Sequence, residues 1–298
     1  MRAQIVARKD YQDAIQSRSL WSLTLLLVIF TAGLAYMLDS SLVTLFWPFF
    51  LTFFGDAGSG LRTIEFIHFF VGPAEILIPL LGLMISHKSI AGEIESGSVK
   101  FLLSVPLTRW DALLGKMLGR SAVLTTALVA GLVVAGGLVA VLTGRVNLAP
   151  YFFLMVITVL FGLAFVSIGV ALSAMADNGS RAVIYAIGTY LFLQVAMNFA
   201  NNFVYMIFNG TFFPPLIGTS GPPDAGGWFF LIDRLDPGGA YKGIVLGLLG
   251  TEPPSFAPAF PDGIPVFLQP SVAVLILVLW IILPVGVGYY RFRDADIS

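Results

Sequence analysis

Cysteine is absent from this 298-residue chain. Its absence excludes disulfides, thiolate metal sites and a cysteine nucleophile, and leaves the redox compartment open. Charge is also scarce. Only 11% of the residues are charged and 57% are hydrophobic, against about 25% charged in an ordinary soluble domain. So few charges could not cover a water-facing surface. The net charge of −1 supplies no field that would attract nucleic acid. Histidine occurs twice, at His68 and His87, without an H-E-x-x-H pattern or an evident catalytic partner. An intramembrane enzyme therefore stays an alternative that only lipid or peptide turnover without ATP would revive. The phosphate loop G-x-x-x-x-G-K-(S/T) is missing too. Gly115-Lys116 is followed by Met117 and lacks the preceding glycine, so the chain does not hydrolyse ATP by itself.

What the chain does have is long apolar runs. A span needs roughly 20 apolar residues, and six segments qualify: 21–38, 66–85, 121–142, 151–175, 182–208 and 272–290. The first follows Arg2, Arg8, Lys9 and Arg18, but it exceeds a usual signal core and no small-x-small cleavage site follows. It reads as a retained span. With the amino end inside, 12 of the 16 Lys and Arg fall on the inner side, and only Arg62, Arg145, Arg234 and Lys242 fall outside. Both termini are expected in the cytoplasm, together with the polar stretch 86–120. The fold class expected is an all-α integral membrane protein of six transmembrane helices forming one domain over 1–298.

Residues 1–20 mix charge with Ile5, Val6, Tyr11, Ala14 and Ile15 near helical spacing, which suits a short interfacial helix. The patch Leu-Phe-Trp-Pro at 45–48 and its Phe-rich continuation to 54 read as an outer interfacial segment. In the second span Glu65, His68, Gly72 and Glu75 share one helical face, and Pro73 and Pro79 bend the helix around Glu75. Glu75 lies about 15 Å along the helix from residue 85, near mid-bilayer. An ionisable group there is costly, and it is either a pathway carboxylate or a hydrogen-bonded strut. Small residues at four-residue spacing, Gly131 with Ala135 and Gly136 with Ala140, indicate close helix packing in the third span. Spans four and five form a tight hairpin through 176–181. Gln194, Asn198 and Asn201 form an amide stripe on the fifth span that faces a pathway, a partner helix or an interface. The segment 209–270 holds eleven of the seventeen prolines. Within it, two apolar runs broken at Asp236-Pro237-Gly238-Gly239 fit an external re-entrant hairpin, with Tyr241 and Lys242 beyond the break.

The polar stretch 86–120 reads as helix, break, helix. Ile90, Ile94 and Phe101 or Leu102 recur at helical spacing, and Val105-Pro106 ends that run. Thr108 is an N-cap, with Asp111 completing a capping-box-like start. Nothing then breaks the helix until Gly144, so a rod of about 51 Å extends the third span well beyond the membrane. Glu95, Gly97, Ser98, Leu102, Leu103, Pro106, Leu107, Thr108, Arg109, Gly115, Lys116 and Gly119 resemble the E-x-G-(S/T)-x-x-x-LL-x-x-P-(L/V)-(S/T)-R…GK-x-x-G loop of type-2 ABC exporter permease subunits. The amino end and the LDPGGAYKGIVLG segment are similar to the interfacial helix and external re-entrant segment of that family. The likeness runs toward the branch that contains the permease for copper-site maturation of nitrous oxide reductase.

This resemblance implies a coupling helix around residues 93–103, with Glu93, Glu95, Gly97, Leu102, Leu103, Pro106, Arg109 and Lys116 carrying the contact to a cytoplasmic ATPase. It also implies two ATPase copies that hold the ATP and Mg, a second permease chain in a homodimer, and residence in a prokaryotic cell membrane. An external substrate-binding or acceptor protein is a further implied partner. No cofactor or metal is expected on this chain. Copper conduction lacks thiolate ligands, and the eight Met form no evident cluster. Transmission of force to an external enzyme, with no substrate conducted, stands as the alternative.

Overall fold

The computed structural model describes residues 2–37, 62–96, 108–144, 146–210, 227–249, 260 and 263–293. Helices α1 (Arg2–Gln16) and α2 (Arg18–Met37) open the chain, followed by α3 (Arg62–Ser86) and the short α4 (Ala91–Glu95). Next come α5 (Arg109–Thr143), α6 (Leu148–Met175) and α7 (Gly179–Leu191). A π-helical turn, Phe192–Ala196, joins α7 to α8 (Met197–Asn209). Two short helices, α9 (Gly227–Leu235) and α10 (Pro237–Leu248), precede a 3-10 turn, Val266–Leu268, and α11 (Pro270–Arg293). Among the described residues no strand occurs. Five helical segments are long and apolar enough to cross a bilayer, and the pair α1–α2, bent by 73°, makes a sixth candidate. The chain is a multi-pass helical membrane protein.

Local chemistry explains where the rod begins and ends. Thr108 Oγ1 accepts from the Asp111 N–H at 3.1 Å, and Asp111 Oδ2 accepts in return from the Thr108 N–H at 3.1 Å. This reciprocal cap starts α5, and Gly144, with φ 77°, ends it in the left-handed region that glycine tolerates. The 35 residues between them make about 52 Å of continuous helix.

Packing then follows from small residues. At Gly115 a Cβ would lie 2.5 Å from Val6 Cβ, and at Gly119 it would lie 2.7 Å from Asp10 Oδ2. These two glycines, one turn apart, let α1 press against the α5 backbone. Further along the rod, Thr31 Oγ1 donates to the Gly131 carbonyl at 2.8 Å, which brings α2 equally close. Helix α6 sits at the centre, against α3, α5 and α11, and Phe161, Phe165, Phe66 and Phe70 fill the core between them. The fifth span is the least covered, with 17% of its apolar window buried.

The fifth span runs over Gly179–Phe208 as one candidate span, and the π turn at Phe192–Ala196 lies within it. The first helix of the polar stretch ends at Glu95, and Gly97, Leu102, Leu103 and Pro106 lie outside the described residues.

Candidate functional site

Two separate clusters of buried charge occur among the described residues. The first forms where the short helices α9 and α10 meet α3. Lys242 on α10 places its Nζ 3.1 Å from Glu75 Oε1 and 4.0 Å from Asp233 Oδ1. Asp236 caps α10: its Oδ2 accepts from the N–H groups of Gly238 and Gly239 at 2.9 and 3.2 Å, and Pro237 fills the first helical position. Burial, with Glu75 and Asp233 close by, pushes the Asp236 carboxyl up to about 7. One residue before Lys242, Tyr241 is fully buried, stacked on Phe161 at 4.5 Å and hydrogen-bonded to Thr158 Oγ1 at 3.1 Å. Trp280 Nε1 of α11 donates to the Leu235 carbonyl at 2.9 Å. The α9–α10 segment is therefore joined to α3, α6 and α11 at once.

The amide stripe closes this cluster from the side. Pro79 has no N–H, so the carbonyl of Glu75, four residues earlier, loses its helical partner. Gln194 Nε2, in the π turn, donates to that carbonyl at 2.7 Å, and Tyr190 Oη donates to the next one, Ile76, at 3.3 Å. Asn201 Nδ2 donates to the Phe229 carbonyl of α9 at 3.2 Å. Asn198 Nδ2 donates within its own helix to the Gln194 carbonyl at 3.2 Å. Asn198 and Asn201 line a small cleft together with Met197, Ile232, Asp233 and Asp236. Glu75, Gln194, Asn201, Asp236 and Lys242, marked separately in the sequence, are thus brought together.

The second cluster ties three elements at the basic end. Asp10 of α1 is 5% exposed and binds Lys116 Nζ at 3.0 Å and Arg120 Nε at 3.0 Å, both on α5. Lys116 also pairs with Glu93 of α4 at 2.5 Å. Glu95 Oε2 accepts from the Gly179 N–H, the first residue of α7, at 3.0 Å. Ser173 Oγ of α6 accepts from the Ile90 and Ala91 N–H groups at 2.9 and 3.0 Å, where α4 begins. Arg109 reaches the far end of α11, where Nη1 donates to the Arg293 carbonyl at 3.0 Å and to that of Phe292. The short helix α4 is consequently attached to α5, α6 and α7.

Sequence reasoning passed over Asp10, Arg120, Asp233, Arg234 and Tyr190 as members of these clusters. Asp10 carried a usable signal, because it lies one turn from Val6 on the face of α1 that is buried. Asp233-Arg234 interrupts the apolar run Trp228–Leu235 and was legible in the same way.

A family model described as ABC-2 family transporter protein matches residues 4–297. The chain is similar to two proteins described as probable ABC transporter permease protein NosY. With that of Stutzerimonas stutzeri it is 26% identical over 220 residues, 71% of this chain and 74% of the relative. With that of Pseudomonas aeruginosa it is 25% identical over 300 residues, 98% of each chain.

Proposed function

The chain belongs to the ABC-2 family of transporter proteins, and from that membership we propose that it is the permease subunit of an ATP-driven exporter worked by a separate cytoplasmic ATPase. The functional unit is two copies of this chain with two copies of the ATPase, which hold the ATP and Mg. Both termini and the 86–120 stretch lie in the cytoplasm, in agreement with the distribution of Lys and Arg. The α9–α10 hairpin then lies at the external side, re-entering the bundle.

One observation supports α4 as the docking helix above all others. Its two carboxylates each hold a different span, Glu93 through Lys116 on α5 and Glu95 through the amino end of α7. A displacement of α4 by a bound ATPase is passed directly to both. Gly97, Leu102, Leu103 and Pro106, which lie outside the described residues, are assigned to the same contact by the likeness of the loop sequence alone. Arg109 holds the end of α11 and brings the sixth span into the response.

The test is the ATPase activity of the co-purified complex. Glu95→Lys and Arg109→Glu are each expected to abolish stimulation of hydrolysis by the permease while the membrane chain still elutes and unfolds as a native protein. Unchanged coupling in both variants rules out this end as the handle.

A second reading is force transmission to an external partner without conduction of a substrate. It is favoured by the Glu75–Lys242 pair and the Asn201–Phe229 bond, which attach the α9–α10 segment to the bundle. Passage of labelled candidate substrates across vesicles separates the two readings.

A further inference from the structure

The cluster beneath the α9–α10 hairpin is unbalanced in charge. Three carboxylates, Glu75, Asp233 and Asp236, meet two cations, Lys242 and Arg234. Glu75 and Asp236 are only 5% and 7% exposed. Both flank Gly238, where a Cβ would lie 2.7 Å from Glu75 Oε1 and 2.9 Å from Asp236 Oδ2. Lys242 serves Glu75 directly, and Arg234 Nη1 is directed to the Gly239 carbonyl at 3.3 Å. Among the described residues, no hydrogen-bond donor reaches the buried Glu75 Oε2.

Among the described residues, the surrounding elements bring hydrogen-bonding groups but no compensating charge. Helix α6 faces the hairpin with the Thr158 hydroxyl, which meets Tyr241, and α11 with the Trp280 indole. The fifth span adds the amides of Gln194, Asn198 and Asn201 and the Tyr190 hydroxyl. Asp233 is 40% exposed and reaches water, whereas Asp236 is buried beside Glu75 and, among the described residues, is met by no cation in an ion pair. A buried uncompensated charge is strongly disfavoured. One proton removes the imbalance.

We infer that Glu75 and Asp236 form a proton-binding site whose occupancy holds the α9–α10 hairpin seated in the bundle. The step moves one proton between the carboxylate pair and water and involves no other bond. Asp236 is poised for it, since burial holds its carboxyl up at about 7 against an ordinary value of 3.8. A hairpin lifted into water returns Asp236 to that ordinary value, so the seated state binds the proton more tightly. Seating is therefore strongest below about pH 4, weakens as pH rises toward 7, and changes little above that.

The chain's lack of cysteine makes the test direct. Ala240 on α10 is 0% exposed, so Ala240→Cys reacts with maleimide only when the hairpin lifts. The full chain is placed in nanodiscs, where both faces are open to reagent, and labelling is followed from pH 5 to 7.5. The reference is the same cysteine with Asp236→Asn, because Asn keeps the N-cap and cannot titrate. Division by the reference removes the ionisation of the thiol itself. The ratio is expected to rise on the order of 50-fold across this range. A ratio that stays flat, or no labelling in either background, overturns the proposal. Hydrogen exchange of residues 237–248 in the unsubstituted chain provides the second measurement. After correction for intrinsic rates, it must show the same pH trend, and its absence also overturns the proposal. Neither measurement involves hydrolysis or transport, so failure here leaves the permease reading intact.

Discussion

At Gly239 a Cβ would fall 1.8 Å from the Asp233 carbonyl oxygen, a backbone atom that cannot swing aside. Gly188, in the fifth span, has nothing within 4 Å of the same point. Gly239→Ala is therefore expected to lose about 2–3 kcal/mol in reversible unfolding, and Gly188→Ala to be neutral or to gain about 0.5 kcal/mol. Equal effects in the two variants would refute the close approach of Gly239 to the Asp233 carbonyl. Glu75 and Lys242 show how far a single position could be read. Glu75 stood out because a carboxylate deep in an apolar span needs a partner, and Lys242 because it follows an abrupt helix start. Their pairing was not legible, since it joins residues 167 positions apart in the chain through tertiary packing. Asp10 illustrates the opposite case, a charge not singled out in the sequence that is buried between two cations.

Helix ends were more legible than helix interiors. Thr108 and Gly144 mark the limits of α5 because capping chemistry is local: a side chain meets N–H groups three residues away, and a glycine adopts positive φ. The π turn had no such local signature. It forms where Gln194 meets the carbonyl that Pro79 leaves unpaired on a different helix. That account makes an element-level prediction. Gln194→Leu should cost about 1–2 kcal/mol in the native background, because it strands a buried carbonyl. In a Pro79→Ala background, where the backbone N–H regained at that position restores the helical bond to the Glu75 carbonyl, the same change should cost little. Thermal unfolding of the four proteins measures the coupling, and strict additivity would exclude this link.

Across the whole molecule, apolar runs were enough for a multi-pass helical chain with five or six candidate spans, since bilayer thickness is a strong constraint. How the elements brace one another was not readable. Asp10 joins α1 to α5, and Lys116 carries the link to α4, so three elements depend on one carboxylate. Asp10→Ala leaves Lys116 and Arg120 adjacent with less compensation, and is expected to cost about 3 kcal/mol. Arg120→Met added to Asp10→Ala should recover part of the loss, which calorimetric or fluorescence unfolding would detect; no recovery would argue against the ion pair. The wide turn at Phe192–Ala196 has a further consequence at this scale. One surplus residue in an α-helix rotates everything beyond it by about 100° relative to what came before. The two halves of the fifth span therefore have independent azimuths. The half beginning at Gly179 orients Ala182 and Ala186 toward the bundle, and the other half orients Asn201, Asn202 and Tyr205. A single continuous helix would have to choose one phase and turn the other set toward lipid.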